Sequence, residues 1–573
     1  MKNEEIAGIF NNIADILEIK EENPFRIRAY RKAAESLRDL NEDIGEVAGK
    51  KALDSITGIG KDLAAKIEEY IEKGKIRFYE ELKKSVSKPV LDLMEIPGVG
   101  PKTASLLCKE LKIKSVNDFK HKAKQGQIKG IFGIKEKTVE NILKGIDFLS
   151  KSEGRIHLDT ATRISGDIIS RLKKIPEAKK ITPAGSLRRM RETVRDIDIL
   201  VTSNKPEKIM DVFTGLPGVK EVHARGSTKS SVITREKVQV DLRVVEPSSF
   251  GSALCYFTGS KNHNIHLRKM AVKKGLKINE YGVFRVKTGK KIAGDEEEGV
   301  YKTLGLDYIP PEMREDKGEI ELAMKGKLPR LAELHDIKGD LHVHTEDTDG
   351  ALCIEEIAST CQRMGYEYVV ITDHSKTLKI AGGLSEKDLL RNIKKVRKLD
   401  KKYKKIKILI GSEVDILGDG GLDYSDSLLR ELDFVIAAIH TGFKQPKNVI
   451  TERIIKAMDS KFVNMIAHPT GRLLGVREAY EVDLERIFKV AKETSTALEI
   501  NAYPQRLDLD DNASRRAKEM GVMIGIATDT HAKSQFQNMA FGVSVARRGW
   551  LEKKDIINMK SFMEFCKWKK QKR

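Results

Sequence analysis

From residue 339 onward the chain repeats one pattern: a short apolar run, a His, Asp or Glu where the run ends, then an amphipathic stretch. The apolar runs are DLHVH, YEYVVITDH, IKILIGSEVD, DFVIAAIH, FVNMIAHP, ALEINA and VMIGIATD. Segments such as SEKDLLRNIKKVRKLDKKY, NVITERIIKAMDS and DLERIFKVAKETS separate them, with apolar residues at three- and four-residue spacing. Strands that alternate with helices must run parallel, so this half is predicted to form a barrel or a doubly wound sheet. Such folds build their sites at the carboxyl ends of the strands. The residues falling there are His342, His344, Asp349, His374, Glu413, His440, His468, Asp529 and His531. A single histidine in such a place is more often a structural hydrogen-bonding group. Recurrence at successive strand ends predicts a metal site instead, and mixed imidazole and carboxylate ligands suit Zn²⁺, Mn²⁺ or Fe²⁺ better than Mg²⁺ alone. Arg472 in HPTGR and Arg506 are candidates to hold a substrate phosphate there.

The first half has a different rhythm. Residues 1–85 read as short amphipathic helices, for example EEIAGIFNNIADILEI and AYRKAAESLRDL. Residues 86–155 continue in helical style, broken by glycine turns. Two of these turns are Gly58-Ile59-Gly60-Lys61 and Gly98-Val99-Gly100-Pro101-Lys102; a weaker third is Gly133-Ile134-Lys135. Each precedes a helix, where outward-pointing backbone N–H groups can hold a phosphate without reading a base. Gly58, Gly60, Gly98, Gly100 and Lys102 are therefore candidate contacts to a DNA backbone.

From about residue 180 the pattern turns to strands, and AGSLRRMRETVRDIDILV carries the sharpest signal. Asp196 and Asp198 share one face of a strand by its two-residue period, and Ile197 and Ile199 share the other. Asp241, in VQVDLRVV, lies on a second strand. Three clustered carboxylates repel one another unless cations neutralise them, and hard oxygen ligands suit Mg²⁺ or Mn²⁺. Two such ions can stabilise the attacking and leaving oxygens of a phosphoryl transfer.

Gly185-Ser186 followed by this D-x-D resembles the nucleotidyltransferase superfamily. The later Tyr256-Phe257-Thr258-Gly259-Ser260 and KINEYG resemble the thumb of family X DNA polymerases over residues 1–320. The resemblance implies that Asp196, Asp198 and Asp241 hold two metal ions, with Asp241 nearest the primer 3′-OH. It implies that Ser186 and Arg189 contact the triphosphate, with Gly185 allowing close backbone approach. Tyr256, Phe257 and Gly259 would sit beside the sugar, and Asn264 and Arg268 would face the minor groove. Lys261 departs from the vertebrate pattern, which has an acidic residue there. The N-terminal helices, with NPFRIRAYRKAA and GIGKDLAAKIEEY, resemble the small lyase domain of the same family. Lys66 falls at its Schiff-base position, with Tyr30 and Arg26 placed to bind a 5′-phosphate. The histidine-rich half resembles the PHP (polymerase and histidinol phosphatase) domain, a (β/α)7 barrel with a trinuclear metal centre whose nine ligand positions are all filled here.

The organisation expected is multidomain α+β and α/β: a small helical lyase-like domain over 1–85, a helix-hairpin-helix domain over 86–155, a nucleotidyltransferase palm over 156–248, a thumb over 249–320, a linker over 321–338 and the PHP barrel over 339–573. A formal net charge of +20 favours a polyanionic partner. Five dispersed cysteines fit a reducing cytoplasm rather than a disulfide framework. No apolar run reaches membrane-span length. The expectation is a monomeric cytoplasmic enzyme that uses dNTPs to fill short gaps in primed DNA during base excision repair. The barrel would add a 3′–5′ exonuclease or 3′-end phosphoesterase. The rivals are a 3′-end nuclease or phosphatase whose polymerase half serves DNA binding, and a non-catalytic repair scaffold.

Overall fold

The computed structural model describes residues 2–39, 44–50, 52–56, 58–94, 96, 99–125, 139, 142–143 and 154–571. These fall into two compact units, residues 1–153 with 475–477, and residues 154–474 with 478–573.

The first unit is helical. Helix Lys2–Ile19 presents Ile6, Phe10, Ile13 and Leu17 on one stripe, which packs on Tyr30, Ala34 and Leu37 of helix Pro24–Asp39. A second small core gathers Val90, Leu93, Leu107 and Phe119. Gly60 and Gly100 are the exposed N-caps of helices Lys61–Lys73 and Pro101–Leu111, and Lys102 is exposed in the first turn of the latter. Gly98 and the Gly133-Ile134-Lys135 turn lie outside the described residues.

The second unit begins with the palm, a five-stranded sheet. Its order is Ile181–Pro183, Asp196–Thr202, Gln239–Val245, Lys229–Thr234, Val219–Arg225. Only Asp196–Thr202 and Gln239–Val245 pair in parallel, with Asp198 opposite Asp241. Ile197, Ile199, Val240 and Leu242 are buried below, against helix Leu158–Leu172, which leaves the carboxylates on the other face. The thumb follows, with helices Phe250–Thr258 and Lys261–Lys273 and the antiparallel strands Leu276–Asn279, Gly282–Arg285 and Lys291–Ala293.

The C-terminal half is a barrel of seven parallel strands in sequential order, from Gly339–Val343 to Ile524–Ala527. Every residue of those two strands is buried, as a sheet covered on both faces requires. A parallel bridge between Val343 and Thr530 brings the first and last strands together.

The segment expected as a linker, 321–338, is built into the structure. Leu331, Ala332 and Ile337 are buried, and the Ala332 N–H bonds the Leu551 carbonyl at 2.9 Å. Its charged look in sequence hides buried apolar residues: Lys325, Lys327 and Arg330 face outward, as do Met324 and Leu334, while Ala323, Leu331, Ala332 and Ile337 pack inward. Leu331 and the barrel's Trp550 complete the thumb core beside Leu267, Tyr301 and Met313. Burying a side chain of this size stabilises by about 1.5–3 kcal/mol, so residues from the barrel side add to the stability of the thumb core.

Candidate functional sites and family

At the palm site the chain reverses from strand Ile181–Pro183 into a one-turn helix, Gly185–Arg188. Gly185 has φ +60°, and a β-carbon there would lie 2.4 Å from Asp198 Oδ2. Only glycine meets both conditions without strain. Asp198 is mostly buried, and that burial, with Asp196 and Asp241 adding like charge, raises its carboxyl to about 7. Asp241 accepts hydrogen bonds from Ser231 Oγ at 2.5 Å and Gln239 Nε2 at 3.0 Å, and Lys229 Nζ stands 3.6 Å away. Like charges that raise one another in this way fit divalent cations as the missing counter-charge.

Arg189 is engaged within the protein. Its Nε lies 3.1 Å from Glu315, and Nη1 donates to the Thr258 carbonyl at 2.5 Å. Gly259 has φ +72°, and a β-carbon there would approach Arg189 Nη1 to 3.1 Å. Ser186 is half-buried, and its carbonyl accepts from Arg191 N at 3.1 Å. Tyr256 and Phe257 meet edge-on with centroids 5.1 Å apart, and Arg243 lies over the Phe257 ring at 4.3 Å. Asn264 Nδ2 donates to the Tyr256 carbonyl at 2.7 Å, and exposed Arg268 donates to the Asn264 carbonyl at 3.3 Å. Lys261 is exposed. Sequence reasoning missed Arg155, which grips Thr193 through Oγ1 at 2.8 Å and the carbonyl at 2.5 Å. Burial and the neighbouring Arg191 and Arg195 lower its guanidinium below the ordinary arginine value.

In the helical unit, Lys66 Nζ lies 2.6 Å from Asp62 Oδ1 and 5.4 Å from the centre of the Phe78 ring. Arg26 reaches the same ring at 5.0 Å, and buried Tyr30 stacks on it at 6.4 Å.

The barrel brings together all nine strand-end residues. Three groups each converge within 4.8 Å: His344, Asp349, His374 and His531; His342, His344 and Asp529; and His374, Glu413 and His440. His468 joins them through Nε2, 2.9 Å from Glu413 Oε1. Glu413 thus faces five imidazoles, with His342 Nε2 at 3.4 Å, His344 Nε2 at 3.7 Å, His374 Nδ1 at 2.9 Å and His440 Nε2 at 3.3 Å besides His468.

The electrostatics splits these histidines. Burial, then His374 and His531, push His344 down to about 3, and burial with the Arg506 charge takes His468 to about 4. Burial also disfavours charge on His374 and His440, but Glu413 overcomes it and raises them to about 10 and 9. Among the described residues, His342 Nε2 and both ring nitrogens of His344 make no hydrogen bond of ordinary geometry, although carboxylate oxygens stand 3.2–3.7 Å away. Buried lone pairs without donors, aimed at carboxylates, are what a set of metal ligands presents. The donor set fits the group the sequence implied.

Further residues orient these ligands. Glu499 takes His342 Nδ1 at 2.8 Å and the His468 N–H at 2.6 Å, while Asp415 holds His440 Nδ1 at 2.5 Å. Asn501 donates to Asp529 Oδ2 at 3.0 Å. Their signal was present: Asp415 follows Glu413 by two residues on one strand face, and Glu499 and Asn501 do the same in ALEIN.

Sequence profiles agree with this division. Helix-hairpin-helix profiles match residues 1–76 and 90–147, the second described as a SAM-like tandem. The DNA polymerase beta thumb profile matches 253–315, and the PHP domain profile matches 340–503. Over 566 residues, 98% of each chain, the protein is 40% identical to the DNA polymerase/3'-5' exonuclease PolX of Bacillus subtilis (strain 168). The chain belongs to the PolX family. Other relatives match one half. Rat DNA polymerase lambda is 25% identical over 324 residues, 51% of this chain and 52% of that one. A Thermoanaerobacter sp. (strain X514) protein described as "Probable phosphatase" is 29% identical over 246 residues, 41% of this chain and 96% of its own. PolX membership makes both halves metal-dependent domains, joined here around one thumb core. Among the described residues no helix is long and apolar enough to cross a membrane.

Proposed function

We propose that this PolX chain is a DNA-directed DNA polymerase that fills short gaps during repair, and that its barrel is a 3′–5′ exonuclease. The observation that carries the reading is the coexistence of the Asp196–Asp198–Asp241 cluster with three converging ligand groups in one chain. The name of the Bacillus subtilis relative pairs the same two activities.

In the palm, Asp196, Asp198 and Asp241 would hold Mg²⁺ or Mn²⁺. Such ions supply charge neutralisation for the attacking 3′-oxygen and the leaving pyrophosphate. The protein's own part is positional. Gly185 lets the backbone of the turn approach the nucleotide, with Ser186 presented beside it. Ser231, Gln239 and Lys229 fix Asp241 opposite Asp198, where the primer end would stand. Arg155, Arg191 and Arg195 crowd positive charge beside Asp196, an arrangement a triphosphate relieves. Tyr256 and Phe257 form the wall against the sugar, and Asn264 and Arg268 line the path of the duplex. Gly58, Gly60, Gly100 and Lys102 would hold its backbone. Lys66, with Tyr30 and Arg26, is proposed as a 5′-phosphate site; a lyase role for Lys66 would require Asp62 to release it.

In the barrel, the nine ligands would hold three ions of Zn²⁺, Mn²⁺ or Fe²⁺, which polarise a phosphoester for attack by water. Glu499, Asp415 and Asn501 keep the ligand rings and carboxylates aimed. A second reading of this site, hydrolysis of a terminal 3′-phosphate, is favoured by the match to the phosphatase-named relative. The working form is proposed as a cytoplasmic monomer.

The test uses a 5′-labelled primer on one-nucleotide-gapped DNA with Mn²⁺ or Mg²⁺, with and without dNTPs. Template-directed extension with dNTPs and stepwise shortening without them are the expected results. Loss of only a 3′-phosphate would establish the second reading. Binding with no chemistry would refute both.

A further inference from the structure

The barrel rim and the palm meet at Arg472. Its guanidinium is largely buried and bonds in two directions. Nη2 lies 2.7 Å from Glu192 Oε2, in the palm turn that leads to Asp196. Nε and Nη2 also donate to the carbonyls of Arg506 and Leu507 at 3.0 and 2.5 Å. Those two carbonyls belong to the short loop that follows strand Ala497–Asn501 and returns to it through the Asn501–Asp508 bridge. The loop is further pinned where Leu474 N donates to the Gln505 carbonyl at 2.6 Å.

Arg506 sits at the tip of this loop and points toward the metal-ligand cluster. Its Nε is 3.5 Å from Asp529 Oδ2, the oxygen that Asn501 also holds. The side chain is 20% exposed. Among the described residues its guanidinium makes no hydrogen bond. A mostly covered guanidinium beside a cluster of potential metal ligands, with donors to spare, suits one partner: the non-bridging oxygens of a phosphate.

We propose that Arg506 takes the phosphate of the barrel's substrate, and that the palm residue Glu192 positions it through Arg472. Glu192 fixes the Arg472 guanidinium, Arg472 fixes the two carbonyls that set the loop, and the loop fixes where Arg506 stands over Asp529. The phosphoesterase site then depends on a carboxylate in the polymerase half. The proposal rests on the exonuclease reading above.

The experiment measures exonuclease kcat and KM of the full-length protein on a 5′-labelled single-stranded oligonucleotide with Mn²⁺, for wild type, R506A, E192Q and E192Q/R506A. Gap filling and melting temperature are taken on the same samples. R506A is expected to raise KM about tenfold or more, with a smaller change in kcat. E192Q is expected to raise KM several-fold while gap filling stays within about twofold. The double variant should be no worse than R506A alone, because Glu192 acts only through Arg506. An unchanged KM in E192Q, or multiplying effects in the double variant, would overturn the positioning role. An unchanged KM in R506A would overturn the phosphate contact. A wild type with no exonuclease activity would remove the underlying reading, whatever the variants do.

Discussion

A side chain at Gly185 would strike Asp198: a β-carbon there lies 2.4 Å from the Oδ2 atom, on a backbone with φ +60°. Gly185→Ala must therefore move the carboxylate or the turn, with about 1 kcal/mol of backbone strain added. Nucleotide incorporation should fall by about 100-fold or more, while primer shortening by the barrel stays intact. Loss of both activities together would mean a folding defect and would discount the steric argument.

Glu499 touches two imidazole-bearing residues without standing among the nine ligands. Glu499→Gln keeps the shape but removes the acceptor charge facing His342 Nδ1. Metal affinity of the barrel or its hydrolytic rate should drop about 10- to 100-fold. Metal titration followed by calorimetry reads this out, with polymerase activity as the control that should not move.

Removing metal should loosen the barrel more than the palm, because six of its ligands are buried and the set comes from both the first and the last strand regions. A chelator should lower the barrel's melting temperature, and added Mn²⁺ should restore it in a concentration-dependent way. His344→Ala should flatten that response, and Asp198→Ala should not. An identical chelator response in wild type and H344A would place the stabilising ion elsewhere.

Glu297 joins palm to thumb, bidentate to Arg188 and 2.7 Å from Arg314, which is itself fully buried. Burial raises its carboxyl, but Arg314 and Arg188 overcome this and lower it to about 2. A carboxylate depressed in the folded state stabilises fully above its ordinary value near 4.5, and that contribution is lost as pH falls toward 2. Glu297→Gln should destabilise at neutral pH by about 3–5 kcal/mol, because it leaves buried guanidinium charge unpaired. The gap between the two melting temperatures should narrow as pH drops from 4.5 toward 2. A constant gap would show that the pair contributes through shape rather than charge.

Much of this was legible in the chain, and the reason is periodicity. Asp196 and Asp198 declare their shared face by two-residue spacing, and the barrel ligands declare theirs by recurring where apolar runs end. What stayed hidden depends on contacts between distant segments. Arg189 reads as a triphosphate ligand, but Glu315, 126 residues later, and the Thr258 carbonyl take its guanidinium. Residues 321–338 read as linker because their lysines and arginines dominate the eye, whereas Leu331 needs Trp550, more than 200 positions away, to become core. Glu499 and Asp415 were within reach of the same period-two argument, since each shares a strand face with a residue already suspected.

Trp550 carries one more implication. It is a barrel residue whose ring closes the thumb's interior, capped by Arg515 at 3.5 Å from the ring centre. A gene that lost the thumb would leave an indole bare on the barrel's flank, and one that lost the barrel would leave a hole in the thumb. Neither half could be detached without repacking that seam, so a single indole ties the folding of one half to the presence of the other.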